Sequence, residues 1–150
     1  MQNNAFFMDL SRGSQAEILV TNYFRGNGYD VMDVTKNPIF WKKDIDLFVY
    51  DHDGTQYKFE VKADWTIHRT GNVVLELTSK TGTETGWFNT TESTHIVFTD
   101  MENRIGYVAR THELREFVQR HPDLQRVRLN GCECVLVNIN DCNLFQVIRL

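Results

Sequence analysis

WKKDIDLFVYDHDGTQYKFEVKAD, residues 41–64, alternates twice around one turn. In Ile45–Tyr50, Ile45, Leu47 and Val49 share one face of a strand, and Asp44, Asp46 and Phe48 share the other. In Tyr57–Lys62, Phe59 and Val61 point one way, while Lys58, Glu60 and Lys62 point the other. Asp53-Gly54 marks the turn between them. A three-residue loop, His52-Asp53-Gly54, puts Gly54 at the left-handed position of a bulged turn and pairs Asp51 with Thr55. Counting back from that pair sets Asp46 opposite Glu60 and Asp44 opposite Lys62. Opposed side chains lie ~5 Å apart at Cβ, and two acids that close repel unless a cation sits between them. A loop one residue longer or shorter would put Asp46 and Glu60 on opposite faces.

This charge pattern fits phosphodiester hydrolysis. That reaction needs an activated water, a neutralised phosphate and help for the leaving oxygen. Mg²⁺ meets all three needs, and carboxylates are its preferred protein ligands. Asp46 and Glu60 would hold the metal, with Asp44 as the rival for the first position. Lys62 would orient or deprotonate the water, or pair with the scissile phosphate. A neighbouring metal charge lowers a lysine's pKa, which opens the base role.

Upstream, Ala16, Leu19, Val20, Tyr23 and Phe24 recur at helical spacing and predict a helix over 14–27, stopped by Gly26 and Gly28. Ser14-x-x-Glu17 has the form of a capping box. Glu17 also borders the apolar face, where it could reach a metal. Tyr29–Val34 reads as a strand and Thr35–Lys43 as a loop. Downstream, Asn72–Leu77 is a strand and Thr81–Glu92 a loop or short helix. Thr94–Thr99 and Ile105–Ala109 form a strand pair. Thr111 can cap a helix to about His121, with Leu114, Phe117 and Val118 on its apolar side. Val127–Leu129, Cys132–Asn138 and Leu144–Ile148 are short strand candidates. Helix, strands, helix, strands predicts an α/β or α+β domain with a mixed central β-sheet flanked by helices.

Asp46…Glu60-Val61-Lys62, an acid followed by Glu-x-Lys on the next strand of a hairpin, resembles the PD-(D/E)xK nuclease superfamily. Arg12-Gly13-Ser14-Gln15-Ala16-Glu17, then an apolar helix and Gly28-Tyr29-Asp30-Val31, is similar to the opening of its Holliday junction resolvase-like branch. Gly71–Glu76, Gly86-Trp87 and Thr94–Phe98 look like small phage-type members. The proline usual before the first acid is absent, with Ile45 in its place. The resemblance implies a restriction-endonuclease-like core. It implies Glu17, Asp46 and Glu60 as metal ligands, the Val61 carbonyl as a further ligand, and Lys62 as the catalytic lysine. It further implies a Mg²⁺-dependent deoxyribonuclease, with Mn²⁺ as substitute, acting on DNA that can be branched, and working as a homodimer. Two alternatives stay open: a non-catalytic nucleic-acid or protein-binding module on the same fold, and a nuclease acting on RNA or DNA ends.

The rest of the chain bounds these readings. At 150 residues with 41% hydrophobic and 24% charged content, it is expected to be one domain over residues 1–150. A net charge of −4 argues against a protein that simply coats nucleic acid, but leaves room for a site of clustered carboxylates. The start, MQNNAFFMDLSRG, lacks the pattern of a signal peptide, and no run is apolar enough to span a bilayer. An odd cysteine count (Cys132, Cys134, Cys142) favours reduced thiols in the cytoplasm, the host's if the chain is phage-encoded. Cys-x-Cys plus one more Cys lacks a fourth zinc ligand at the usual spacing. Lys42 and Lys43 enter the acid-bearing strand from a loop and are candidate DNA-backbone contacts, as is Arg69 beside His68. Glu76 is a candidate extra metal residue. Trp41, Trp87 and Phe88 are candidates for base stacking or core packing. His95, His112 and His121 form no ligand set, and no P-loop, Gly-x-Gly-x-x-Gly or Gly-x-Ser-x-Gly occurs.

Overall fold

The computed structural model describes residues 3–82 and 84–150, with side chains from residue 12 onward. The first two residues of the MQNN start and Thr83 of the Thr81–Glu92 segment lie outside it. The chain opens with helix α1 (Asn3–Gly26), then strand β1 (Asp30–Asp33) and a short helix α2 (Pro38–Trp41). The central hairpin is β2 (Leu47–Tyr50) and β3 (Gln56–Asp64), followed by α3 (Ile67–Thr70), β4 (Asn72–Glu76) and α4 (Trp87–Thr90). Strands β5 (His95–Asp100) and β6 (Ile105–Arg110) lead into α5 (Thr111–Arg120). Strands β7 (Arg126–Leu129), β8 (Cys132–Asn138) and β9 (Gln146–Arg149) complete the chain.

Two sheets form. The larger has six strands in the order β1-β2-β3-β5-β6-β9, and the smaller has the order β4-β8-β7. In the larger sheet β3 and β5 run parallel, and the other four pairings are antiparallel. This is the expected mixed central sheet flanked by helices. The second sheet was not expected. Its central pairing joins β4 to β8 across more than fifty residues, and local alternation does not say which strand pairs with which.

The alternation of β3 sorts the layers. Phe59 and Val61 face α1 and pack with Ala16, Val20, Phe24 and Leu47. The opposite face of the sheet presents Ile96, Phe98 and Ala109 to Val73, Leu75, Val135 and Val137 of the small sheet and to Leu114 of α5. Glu60 and Lys62 lie on that second face, beside Ile96 and Phe98 in the parallel register. A strand with one apolar face thus carries its two charged residues into a space between layers.

Several boundaries differ from the sequence reading. Helix α1 begins at Asn3, well before Ser14, so Ser14 is an interior helical residue and the capping-box reading of Glu17 falls away. The Thr35–Lys43 loop contains α2, capped by the Asn37 side chain accepting from the Ile39 N–H. Strand β2 starts at Leu47, and Ile45 packs with Val34 and Phe48 instead of sharing the Leu47 face. The N-cap of α5 is Arg110, without a side-chain cap bond. Thr111 is instead the first helical residue, its hydroxyl beside that of Ser93. The last strand is β9, shifted two residues from the expected start.

Candidate metal and phosphodiester site

The turn behaves as its sequence dictates. Asp51 N–H donates to the Thr55 carbonyl at 3.1 Å, and Gly54 takes φ +79°, a conformation that favours glycine. The register then runs Tyr50↔Gln56, Val49↔Tyr57, Phe48↔Lys58, Leu47↔Phe59, the parity expected from a three-residue loop.

The ladder changes at its last step. Asp46 N–H donates to the Phe59 carbonyl at 2.9 Å, although Leu47 is already the Cα partner of Phe59. Two residues against one is the count of a β-bulge, a device that ends pairing and re-aims a side chain. Asp46 therefore does not stand squarely opposite Glu60. Its carboxylate instead accepts the Val61 N–H at 2.8 Å. Asp44 lies beyond the ladder altogether, with φ +49°, and accepts from the Thr90 hydroxyl at 3.3 Å. It does not pair across with Lys62 as the register count expected, though its charge still acts on both Glu60 and Lys62. The two strands part at the point where the acids sit.

Glu60 is the least ordinary residue here. It is 4% exposed, and its Oε2 finds no hydrogen-bond partner among the described residues. Its Oε1 meets Lys62 Nζ at 2.6 Å, and that ammonium lies 4.3 Å from the centroid of the Trp87 ring. Burial, opposed by Lys62 and reinforced by Asp46, pushes the Glu60 carboxyl up to about 8. Burial, opposed by the Val61 N–H and reinforced by Glu17, pushes Asp46 up to about 6. Glu17, half-buried in the middle of α1, is pushed up to about 7 by burial and by the charges of Asp33 and Glu60. For Lys62 burial alone would lower the pKa. The carboxylates of Glu60, Asp46 and Asp44 outweigh it and hold the ammonium above its usual value.

Three acids with raised pKa values around one ammonium make a site short of positive charge. An orphaned carboxylate oxygen beside a second carboxyl calls for a proton or a cation. The chemistry of the donor set fits a hard divalent cation: Asp46 and Glu60 would offer carboxylate oxygens, with Glu17 near enough to act on both in charge. Among the described residues no three His, Cys, Asp or Glu side chains already converge as a ligand group, so Glu17 stands near Asp46 and Glu60 in charge without closing a preformed cage.

The remaining candidates have their own surroundings, and one of them, Trp87, is the ring beneath the Lys62 ammonium. Lys42 is exposed at the end of α2. Lys43 is ion-paired to Glu92 at 3.1 Å. Arg69 is exposed on α3. Glu76 belongs to the small sheet, where burial first and then the Glu76 charge push the Cys132 thiol up. Phe88 is buried, and Trp87 packs against Phe88 and Phe98. Trp41 stays 59% exposed. All three cysteines are free. Among the described residues no helix is long and apolar enough to cross a membrane. Sequence reasoning missed two things: Asp33 as a charge on Glu17, and Trp87 as the seat of the Lys62 ammonium. Asp33 could have been found from its place at the end of a strand paired with the acid-bearing one.

No protein-family profile matches the sequence, and no curated protein matches it. Among solved structures the chain is similar to a bacterial homing endonuclease, I-Ssp6803I, with a TM-score of 0.52. The match covers 88% of this chain and 76% of that one at 19% identity. A likeness at that identity is one of fold: the mixed sheet with its helices is an architecture this chain has in common with a homing endonuclease.

Proposed function

We propose that this chain is a Mg²⁺-dependent nuclease of the PD-(D/E)xK type that hydrolyses DNA phosphodiester bonds, branched DNA included. The observation that carries the reading is the buried Glu60 carboxylate, with one oxygen on Lys62 and the other without a donor, beside Asp46 at the point where two strands part. The likeness in fold to a homing endonuclease supports it. Asp46, Glu60, the Val61 carbonyl and Glu17 would hold the cation. Bound there, it would neutralise the phosphate and lower the pKa of an attacking water.

The chain's own groups have separable tasks. The Val61 N–H fixes the Asp46 carboxylate. Glu60 and Trp87 fix the Lys62 ammonium. Without a metal those carboxylates hold Lys62 protonated, which suits donation to a phosphate oxygen or to the water; a bound cation would lower that pKa and open the base role. Lys42 and Arg69 contact flanking phosphates, and Lys43 can do so by leaving Glu92. The domain spans residues 1–150, and a homodimer would bring two such sites to two strands.

A second reading is a binding module that keeps the fold without catalysis; it would fit the finding that, among the described residues, no three acids already converge as a ligand group. Calorimetric titration with Mn²⁺ separates the two, since the module takes up no metal at this site. The direct test is incubation with Mg²⁺ and a four-way junction, linear duplex, supercoiled plasmid, single strand and RNA. Cleavage lost on chelation and in Asp46→Ala, Glu60→Ala and Lys62→Ala is the expected result. Full activity in Glu60→Ala would sink the proposal.

A further inference from the structure

The segment between β1 and β2 is built more firmly than a connection requires. Val34 N–H donates to the Asp46 carbonyl at 2.9 Å, and Ile45 N–H to the Phe40 carbonyl at 3.2 Å. Phe40 points inward and meets Phe48 edge-on, with ring centroids 5.0 Å apart. Around that anchor, Ile39 and Trp41 are left 65% and 59% exposed. The Trp41 indole N–H is already used, donating to the Thr35 carbonyl. What it offers the solvent is therefore an apolar ring. Single exposed apolar residues need no explanation. Here, however, Met32, Ile39 and Trp41 make three of the seven large exposed hydrophobics among the described residues, all within ten positions of one another.

Charge adds the second observation. Residues 35–43 contain Lys36, Lys42 and Lys43 and no acid, between Asp33 and Asp44, in a chain of net charge −4; Lys43 is paired with Glu92, so Lys36 and Lys42 carry the argument. An apolar ring flanked by lysines matches a nucleic-acid strand, whose bases have π-faces and whose phosphates lie on either side. Position is the third. Trp41 precedes Asp46 by five residues, a reach of at most about 17 Å. At ~3.4 Å per nucleotide step, the ring falls within about five nucleotides of a phosphate held at Asp46 and Glu60.

We infer that α2 is a stacking wedge: Trp41, supported by Ile39, takes an unstacked base within about five nucleotides of the phosphate to be cut, while Lys36 and Lys42 hold the flanking backbone. The inference rests on the nuclease reading and names the substrate feature it favours, DNA with an opened or bulged base. A side chain inserted at a base step gains most where the step is already unstacked, because the unstacking cost is then avoided.

The test measures binding in EDTA, where no cleavage occurs, to two short duplexes, one fully paired and one with a single bulged 2-aminopurine. The wild type binds the bulged duplex more tightly and quenches its fluorescence. Trp41→Ala weakens that binding about tenfold or more and removes the preference, as expected for a lost base–aromatic stack. Trp41→Phe keeps the ring without the Thr35 bond and retains most of the preference. If the tryptophan served only to hold the loop, Phe would fail like Ala, and the inference would be overturned. Lys42→Ala weakens both duplexes alike and lowers the salt slope by about 1. Equal binding of the two duplexes by the wild type overturns the wedge. So does an unchanged preference in Trp41→Ala. A wild type that cleaves in Mg²⁺ alongside either outcome leaves the nuclease reading standing. A wild type that neither binds nor cleaves DNA removes both.

Discussion

Glu60 and Asp100 are both buried acids in the same sheet, at 4% and 1% exposure, on adjacent strands. They differ in what their oxygens meet. Asp100 ends β5, and its Oδ1 accepts the N–H groups of Glu102 and Asn103 at 3.0 Å each, while Oδ2 accepts from Asn103 Nδ2 at 3.0 Å. Its neighbour in register, Asp64, likewise accepts the N–H groups of Thr66 and Ile67. Those carboxylates organise turns. Glu60 has one oxygen on Lys62 and one with no donor. Burial alone therefore does not mark a reactive site. The separating feature is whether the fold itself completes the hydrogen bonds or leaves one for something that arrives later.

Exchanging the two acids' fates is the strongest way to break that contrast. Glu60→Ala should lower kcat in Mg²⁺ by about two to three orders of magnitude, the scale lost when a group that organises transition-state charge is removed, while the fold persists. Asp100→Ala should do the opposite. It strands the Glu102 and Asn103 donors, which costs about 2–4 kcal/mol and lowers Tm by roughly 5–15 °C in a chain of this size. Activity per folded molecule should stay near the wild type. Thermal melts and cleavage rates on both variants decide it. Comparable activity loss in the two would erase the distinction drawn from the hydrogen bonds.

The next effect is a matter of pH. Glu17, Asp46 and Glu60 have folded pKa values of about 7, 6 and 8, above ordinary values of 4.5, 3.8 and 4.5. Each therefore binds more proton folded than unfolded across that interval. Their contribution to stability is fully present at low pH and is lost as pH rises from about 4 to 8. A divalent cation competes with those protons, so its binding tightens as pH rises. Mn²⁺ at roughly 100 times its Kd stabilises by about 2.7 kcal/mol. With the Mn²⁺ concentration fixed at that needed at pH 8, the rise in Tm should be larger at pH 8 than at pH 6. Glu60→Gln should flatten the metal-free decline and remove the Mn²⁺ effect. A Tm rise that is the same at both pH values would place the cation elsewhere.

How much of this was legible follows from which interactions are local. The hairpin could be read because parity and the Asp53-Gly54 turn together permit few registers, and Gly54 needs its positive φ. The bulge at Asp46 could not. It depends on Asp44 turning left-handed and on Ile45 bonding back to Phe40, events set by the preceding loop. Ser14 looked like a helix start because Ser14-x-x-Glu17 has the form of a capping box. The helix runs through it, with open space around the Gly13 Cα. The acids of the site were readable by type, whereas the seat of the Lys62 ammonium was not. Trp87 reaches it from a segment twenty-five residues away in sequence, and no periodicity links the two.

That seat gives the smallest effect and the finest division of the Glu60 site. Trp87 holds Lys62 Nζ over its ring at 4.3 Å, an interaction worth about 0.5–2 kcal/mol. Trp87→Leu fills much of the same space without the ring's negative face. It should lower kcat about two- to thirtyfold and leave Mn²⁺ affinity unchanged, because the ring touches the amine and not the carboxylates. Trp87→Phe, with a weaker face, should fall between. Single-turnover cleavage beside calorimetric Mn²⁺ titration reads the two quantities separately. If Trp87→Leu cost as much metal affinity as Glu60→Gln, the ring would be supporting Glu60 through the lysine, and Lys62 would have to be counted with the carboxylate's partners instead of with the phosphate's.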